Sequence, residues 1–197
     1  MRVILASKSP RRREYLAALS EELGFCFEII TEDTDETLVG EYPFCGVEEL
    51  AIRKGAAVAA KYPEALVISS DTLVELDGKP LGKPCGEAEA VKMLASLSNR
   101  SHNVHTGVAV HCKGRIFSGV RSTAVRFREI SAREIDYYVS TGEPMDKAGA
   151  YGIQGYAGRF VEGYDGDFDT VVGLSVSLLK ELLCECGFIK DGVAFDD

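Results

Sequence analysis

Between residues 7 and 12 the chain reads Ser7-Lys8-Ser9-Pro10-Arg11-Arg12. Two hydroxyls and three cations meet where an apolar strand gives way to a helix. Free backbone N–H groups at a helix start, joined by cationic side chains, form a phosphate cradle. The same residues describe equally well a capped surface helix with solvated arginines. The glycine pattern of a P-loop is absent, so any phosphate here is held by another geometry.

A second constellation is Ser69-Ser70-Asp71-Thr72, which follows the apolar run Ala65–Ile68. An ionised Asp at the C-terminal end of a buried strand stands where open α/β sheets place their ligands. It can bind a divalent cation or take a proton from water; the plainer alternative is an Asp that only turns the chain. Lys54 falls close to the face that carries Leu50 and Ala51, either snorkelling or pointing into a cleft. Lys83 sits in Gly82-Lys83-Pro84, and Asp33, Asp35 and Glu36 crowd an acidic loop. Taken singly, each of these reads more simply as a solvated charge. The stretch Gly142 to Gly155 mixes four glycines with Lys147, Asp146, Tyr151 and Gln154. Flexible linkers seldom carry that mixture, so the backbone there is expected to be shaped around a ligand.

The elements that must position these residues follow from pattern. Residues 2–6 form a short buried strand, Ser9 is an N-cap, and Pro10 takes the first helical position. Tyr15, Leu16, Leu19 and Leu23 recur at helical spacing up to Gly24. Phe25, Phe27 and Ile29 alternate as a strand, and 31–45 is a loop. A helix is expected at 47–61 with Val47, Leu50, Ala51 and Val58 inward. A strand runs from Ala65 through Leu76 to an Asp77-Gly78 turn. Another helix spans 87–97, with Val91, Leu94 and Leu97 on one face. Residues 102–112 and 115–128 form a hairpin about Lys113-Gly114, and Ser131 with Glu134 makes a capping box. Residues 142–170 are mobile or tightly turning, 174–186 is a final helix, and 188–197 is a tail. Strand–helix alternation followed by hairpins predicts an α/β fold with a mixed sheet and two lobes around a cleft.

Composition narrows the function classes. The 197 residues carry 31 acids, 22 bases and a net charge of −9. From Glu14 to Ile52 every charged side chain is acidic. Such a chain is a poor non-specific nucleic-acid binder, which must neutralise phosphates. One compact basic spot on an acidic protein suits a small anion better than a polymer. No run approaches the roughly 18 apolar residues of a membrane span, and the short opening strand is unlike a signal peptide. The expectation is a cytoplasmic protein that binds neither nucleic acid nor membrane. The six cysteines lack metal-ligand spacing and are expected as free thiols. His102 and His105, three apart in a strand, do not share a face and make a poor zinc pair.

The motifs together resemble the Maf family of nucleoside triphosphate pyrophosphatases. They are Leu5-Ala6-Ser7-x-Ser9-Pro10-Arg11-Arg12, Asp35-Glu36-Thr37, Leu50-Ala51-x-x-Lys54, Ser70-Asp71-Thr72, Gly82-Lys83-Pro84, His105-Thr106-Gly107, the Gly142–Gly155 string and Val171-Val172-Gly173-Leu174. They run in order over most of the chain, which reads as a single domain of this kind across 1–197. The resemblance implies hydrolysis of a nucleoside triphosphate to monophosphate and pyrophosphate, with a divalent cation (Mg²⁺ or Mn²⁺) and often a homodimer. It also implies the two-lobed fold of inosine triphosphate pyrophosphatases. Asp71 matches the family's catalytic Asp, and Glu36 with Asp71 would hold the metal. Ser9, Arg11, Arg12, Lys54, Thr72, Lys83 and Gln154 would bind the nucleotide. Arg11, Thr72 and Gln154 are similar to the branch acting on dTTP and UTP, whereas a second branch prefers 7-methyl-GTP. Gly55 departs from the usual Ala after Lys54, Ser175 from the usual Pro, and Asp169-Thr170 from an Asn-containing pair.

Two other classes compete. A sugar-nucleotide transferase would want a glycine-rich turn after the first strand, and Ala6-Ser7-Lys8-Ser9 has none. A non-enzymatic nucleotide-binding regulator of cell division would keep the binding residues and lack turnover.

Overall fold

The computed structural model describes residues 1–35, 43–190 and 193–194. The chain divides into two compact units. The first comprises residues 1–71, 106–121 and 173–197; the second comprises 72–105 and 122–172. The strands form a seven-stranded mixed sheet of order β2-β1-β3-β5-β6-β7, with β4 paired to β3.

In the first unit, β1 (Val3–Leu5) lies parallel to both β2 (Glu28–Ile29) and β3 (Leu66–Leu76), pairing Leu5 with Ile68. All three residues of β1 are buried, as strands covered on both faces must be. Helix α1 (Pro10–Leu23) starts at the Ser9 cap, whose Oγ accepts from the Arg12 N–H, and ends at Gly24, left-handed at φ 77°. Helix α2 (Pro43–Ala59) buries Val47, Leu50, Ala51 and Val58, as its spacing predicts. It begins four residues before the expected start, with a proline at its first position. Helix α6 (Val176–Glu185) packs Leu178, Leu179, Leu182 and Leu183 into a core with Leu16, Leu19, Ile68 and Val108.

In the second unit, β3 turns back through Asp77-Gly78 into β4 (Lys79–Leu81), both turn residues having positive φ. Helix α3 (Glu87–Leu97) buries Ala90, Met93, Leu94 and Leu97, with Val91 only half-buried at the edge of that face. Strands β5 (Ser101–Cys112) and β6 (Arg115–Phe127) meet at Lys113-Gly114, and each contributes residues to both units. Helix α4 (Ala132–Ser140) opens with both halves of the Ser131–Glu134 capping box in place. The core here is aromatic: Phe127, Tyr138, Tyr151 and Phe160 are buried and meet largely edge to face.

Three expectations need correction. The strand expected at 25–29 is reduced to Glu28–Ile29. Phe25 instead closes the end of α1, its N–H donating to the Ser20 carbonyl, and its ring packs on Phe188 at 5.3 Å. The final helix is α6, within the expected 174–186, and a short separate helix, α5 (Phe168–Val172), precedes it across Gly173 at φ 118°. Ser175, standing in for a proline, caps α6 by accepting from the Leu178 N–H. The tail after 188 begins with buried Phe188 and Ile189 and forms a small antiparallel pair, β8 (Ile189–Lys190) with β9 (Val193–Ala194). Lastly, residues 142–160 are tight turns: 3₁₀ segments cover Glu143–Asp146, Ala148–Ala150 and Tyr156–Phe160. After them, β7 (Val161–Asp165) completes the sheet against β6. Among the described residues no helix is long and apolar enough to cross a membrane.

Candidate active site

The first unit assembles its part around one carbonyl. The Gly173 oxygen accepts from Arg12 Nε and from Ser70 Oγ, each at 2.8 Å. Arg12 Nη1 also donates to Ser7 Oγ at 3.4 Å, and Ser7 Oγ accepts from the Ser9 N–H at 3.2 Å. The turn after β1, the start of α1 and the middle of β3 are thereby tied to the residue that breaks α5 from α6. Arg12 is half-buried and structural as well as cationic. Arg11 is half-buried too, and makes no hydrogen bond or ion pair among the described residues.

Asp71 does not end a strand as expected. It lies inside the eleven residues of β3, beyond the last pairing with the much shorter β1. Because β1 stops at Leu5, the part of β3 that carries Asp71 has passed the parallel ladder. Its Oδ1 accepts from Lys54 Nζ at 2.6 Å, both side chains being 16% exposed. A pair so sheltered interacts more strongly than the usual surface ion pair. The helix that presents Lys54 is fixed on both sides. Ser69 Oγ donates to the Ala51 carbonyl at 2.7 Å. A Cβ on Gly107 would stand 2.6 Å from the Val47 oxygen, so that position must be glycine for α2 to lie this close. A Cβ on Gly55 would stand 2.5 Å from the His111 ring, which therefore occupies the space an alanine would need. His111 Nε2 donates to the Ile52 carbonyl at 3.1 Å, and burial pushes its pKa down, only partly opposed by that carbonyl.

The second unit holds Thr72, Lys83 and Gln154. Thr72 follows Asp71 along β3 and is half-buried. Lys83 is exposed just after β4, where the Gly82 carbonyl accepts from the Gly149 N–H at 3.0 Å. Gln154 is exposed at the corner of a turn closed by the Gly155 N–H on the Gly152 carbonyl. His102 and His105 are buried with different partners. His102 Nε2 meets Tyr151 Oη at 2.7 Å, and burial lowers its pKa to about 4. His105 joins Ser122 Oγ at 2.7 Å and Glu75 at 3.2 Å. Burial pushes the Glu75 carboxyl up, but the Gly78 N–H, Asn103 and His105 outweigh it, and its pKa falls. Neither histidine is placed as a zinc ligand pair.

Glu36 lies outside the described residues. Asp71 is a hard oxygen donor whose Oδ2 makes no hydrogen bond among the described residues. Among the described residues no group of three or more His, Cys, Asp or Glu converges there. That donor set fits an ion held by one or two carboxylates and by substrate phosphates, as Mg²⁺ commonly is, better than an all-protein cage. Five cysteines, Cys26, Cys85, Cys112, Cys184 and Cys186, are free thiols. Sequence reasoning missed Ser7, Ser70 and the Gly173 carbonyl as the frame of Arg12. The signal was present in the Val171-Val172-Gly173-Leu174 string, which pattern alone does not connect to residues some hundred positions earlier.

Comparison with known proteins places this arrangement. A dTTP/UTP pyrophosphatase of Symbiobacterium thermophilum is 45% identical over 187 residues, covering 94% of each chain. Another, of Moorella thermoacetica, is 48% identical over 189 residues, covering 94% of this chain and 95% of its own. A solved nucleoside-triphosphatase, a dITP/XTP pyrophosphatase of Mycobacterium abscessus, shares the fold at TM-score 0.51 and 14% identity. That match covers 97% of this chain and all of the other. The family model for Maf-like protein matches residues 2–186. The chain therefore belongs to the Maf family.

Proposed function

We propose that the chain hydrolyses nucleoside triphosphates, dTTP and UTP in particular, to the monophosphate and pyrophosphate. The observation that carries this reading is the sheltered Lys54–Asp71 pair, in the same unit as a helix N-terminus bearing Arg11 and Arg12. The names of the relatives, each a dTTP/UTP pyrophosphatase, support the choice of nucleotide. A triphosphate carries about four negative charges near pH 7, so a carboxylate meets it only with cationic help. Asp71, with Glu36, would hold a Mg²⁺ or Mn²⁺ ion, which supplies charge neutralisation at the phosphates.

Asp71 orients a water molecule and takes its proton as the oxygen attacks the α-phosphorus. The bond from that phosphorus to the bridging oxygen breaks, and pyrophosphate leaves with the electron pair. Arg11, Arg12 and Lys83 stabilise the charge that develops on the leaving group. Arg12 has five N–H donors, so bonding to Gly173 and Ser7 does not preclude a phosphate. Lys54, held against Asp71, fixes the base and adds positive charge close to the reacting phosphate. Ser9 caps α1 and so fixes the helix N-terminus that faces a bound anion. Thr72 and Gln154 read the base: a neutral amide supplies the donor and the acceptor that uracil O4 and N3–H require. A cytoplasmic homodimer that engages neither nucleic acid nor membrane completes the reading, in keeping with the net charge of −9.

Pyrophosphate release from UTP, dTTP and GTP, with and without EDTA, tests this. Release from UTP and dTTP that EDTA abolishes and Mg²⁺ or Mn²⁺ restores is expected. Binding of UTP without turnover would make the protein a nucleotide-binding regulator, and a preference for 7-methyl-GTP over UTP would overturn the choice of base.

A further inference from the structure

Gln154 stands on a turn whose two ends rest on the same pair, buried Tyr138 and half-buried Glu143. The Gly152 N–H donates to Tyr138 Oη at 3.2 Å, and Tyr138 Oη donates to Glu143 Oε1 at 3.1 Å. At the other end the Tyr156 N–H donates to Glu143 Oε2 at 3.4 Å. Gly155 lies directly on the carboxylate: a Cβ there would stand 2.0 Å from Glu143 Oε1. Gly152 lies on the Lys147 stem: a Cβ there would stand 2.7 Å from Cε. Lys147 Nζ in turn donates to the Glu143 carbonyl and to Asp146 Oδ1. Tyr138 is fully buried, stacked on Tyr156 and edge-on to Phe160. Burial, the larger influence, raises its pKa, so the phenol stays a donor to Glu143. A two-residue corner has little rigidity of its own, yet both its flanks are here fixed by one carboxylate and one phenol.

We infer that Glu143 and Tyr138 are positioning residues for base selection, holding the Gly152–Gly155 turn so that the Gln154 amide meets the pyrimidine edge. This rests on the reading that Gln154 recognises the base. Neither residue touches the nucleotide in this scheme; both act through the turn. The two glycines are part of the same device, since any side chain at 155 would displace the carboxylate that supports it. A positioning error near one ångström is enough to misalign an amide with two complementary groups on a ring.

The test compares UTP with CTP, whose N4 amino group and N3 acceptor invert the pattern that Gln154 is to read. The ratio of kcat/KM for the two nucleotides is measured in wild type, Gln154→Ala, Glu143→Ala, Tyr138→Phe and the Glu143→Ala/Gln154→Ala double variant. Gln154→Ala should lower the ratio about tenfold or more. Glu143→Ala should lower it nearly as far, with the loss falling on KM for UTP rather than on kcat. Tyr138→Phe, which keeps the ring packing, should lower it about threefold to tenfold. The double variant should match Gln154→Ala alone, because Glu143 has nothing to position once the amide is gone. A merely structural role would depress both nucleotides equally and leave the ratio unchanged. If Gln154→Ala leaves the ratio at its wild-type value, the base reading fails. If Gln154→Ala collapses the ratio while Glu143→Ala and Tyr138→Phe do not, only the positioning role fails. Should Glu143→Ala not fold, Tyr138→Phe decides alone.

Discussion

The two units present their chemistry in different ways. In the first, every described candidate residue sits on or beside a regular element: Arg11 and Arg12 on the first turn of α1, Lys54 on α2, Asp71 on β3. Those elements are tied by buried bonds to backbone carbonyls, Gly173 for Arg12 and Ser70, Ala51 for Ser69. In the second unit, Lys83 and Gln154 stand on exposed segments, and what fixes Gln154 is a side-chain pair, Tyr138 and Glu143. The difference matches the two tasks. The general base and the cations at the reacting phosphorus are held on rigid elements, whereas Lys83 at the departing phosphates and Gln154 at the nucleobase stand on exposed segments whose position is adjustable through a few side chains.

The largest effect belongs to the first unit. Asp71→Asn keeps size and an acceptor but removes the charge and the base, so turnover should fall by about 10²-fold or more. The melting temperature should fall modestly: the amide oxygen still accepts from Lys54, but the sheltered ammonium loses its counter-charge. Turnover within about threefold of wild type would remove Asp71 from the role of base.

Next come the cations, where the units should part company. Arg12→Ala should cost on the order of 2–4 kcal/mol in kcat/KM and also lower stability, because it strips donors from the Gly173 carbonyl and Ser7. Lys83→Ala, at an exposed position, should lower kcat/KM by a similar amount and cost less stability than Arg12→Ala. Equal stability losses in the two variants would erase the contrast between a built-in cation and a presented one.

Acid should weaken the second unit through His102. Its pKa is about 4 in the folded chain, and about 6.5 is usual for an unfolded one. Between those values the unfolded chain binds a proton that the folded chain does not, so stability rises with pH across this window. It is full above about 6.5 and declines as pH falls toward 4. The loss should reach about 2 kcal/mol by pH 5. His111 in the first unit shifts in the same direction, opposed there by the Ile52 carbonyl. Urea unfolding at pH 7 and pH 5 should show His102→Phe flattening the slope. A slope identical to wild type would mean that the ring is not buried neutral.

The smallest effect concerns Gly55. Alanine in a helix is worth up to about 1 kcal/mol more than glycine, yet here its methyl would press into the His111 ring. Gly55→Ala should therefore destabilise by about 1–2 kcal/mol. Adding His111→Ala should recover part of that loss in a double-mutant cycle. A stabilised Gly55→Ala would show that the ring yields freely and does not set the seat of α2.

Much of the first unit was legible from spacing. The Ser9 cap, Pro10, the inward face of α2 and the run through β3 follow local rules that the fold obeys. The family string carried the candidate residues themselves. What stayed hidden was long-range. Nothing local links Gly173 to Arg12, or says that Lys54 would meet Asp71, because those contacts depend on how helices seat on the sheet. The final helix was read close to its place, whereas α5, just before Gly173, lay in a stretch that read only as turning. In the second unit, glycine density from 142 to 155 marked a special backbone but not its form. The partners of those glycines, Glu143, Lys147 and Val74, are side chains that only the folded turns bring beneath them.

The central claim is that water, activated by Asp71, attacks the α-phosphorus and expels pyrophosphate. Hydrolysis of UTP in ¹⁸O-labelled water, with mass analysis of both products, tests it most directly. The account predicts one labelled oxygen in the UMP and none in the pyrophosphate, in wild type and in the slow residual turnover of Asp71→Asn. Label in the pyrophosphate, or release of inorganic phosphate in its place, would contradict it.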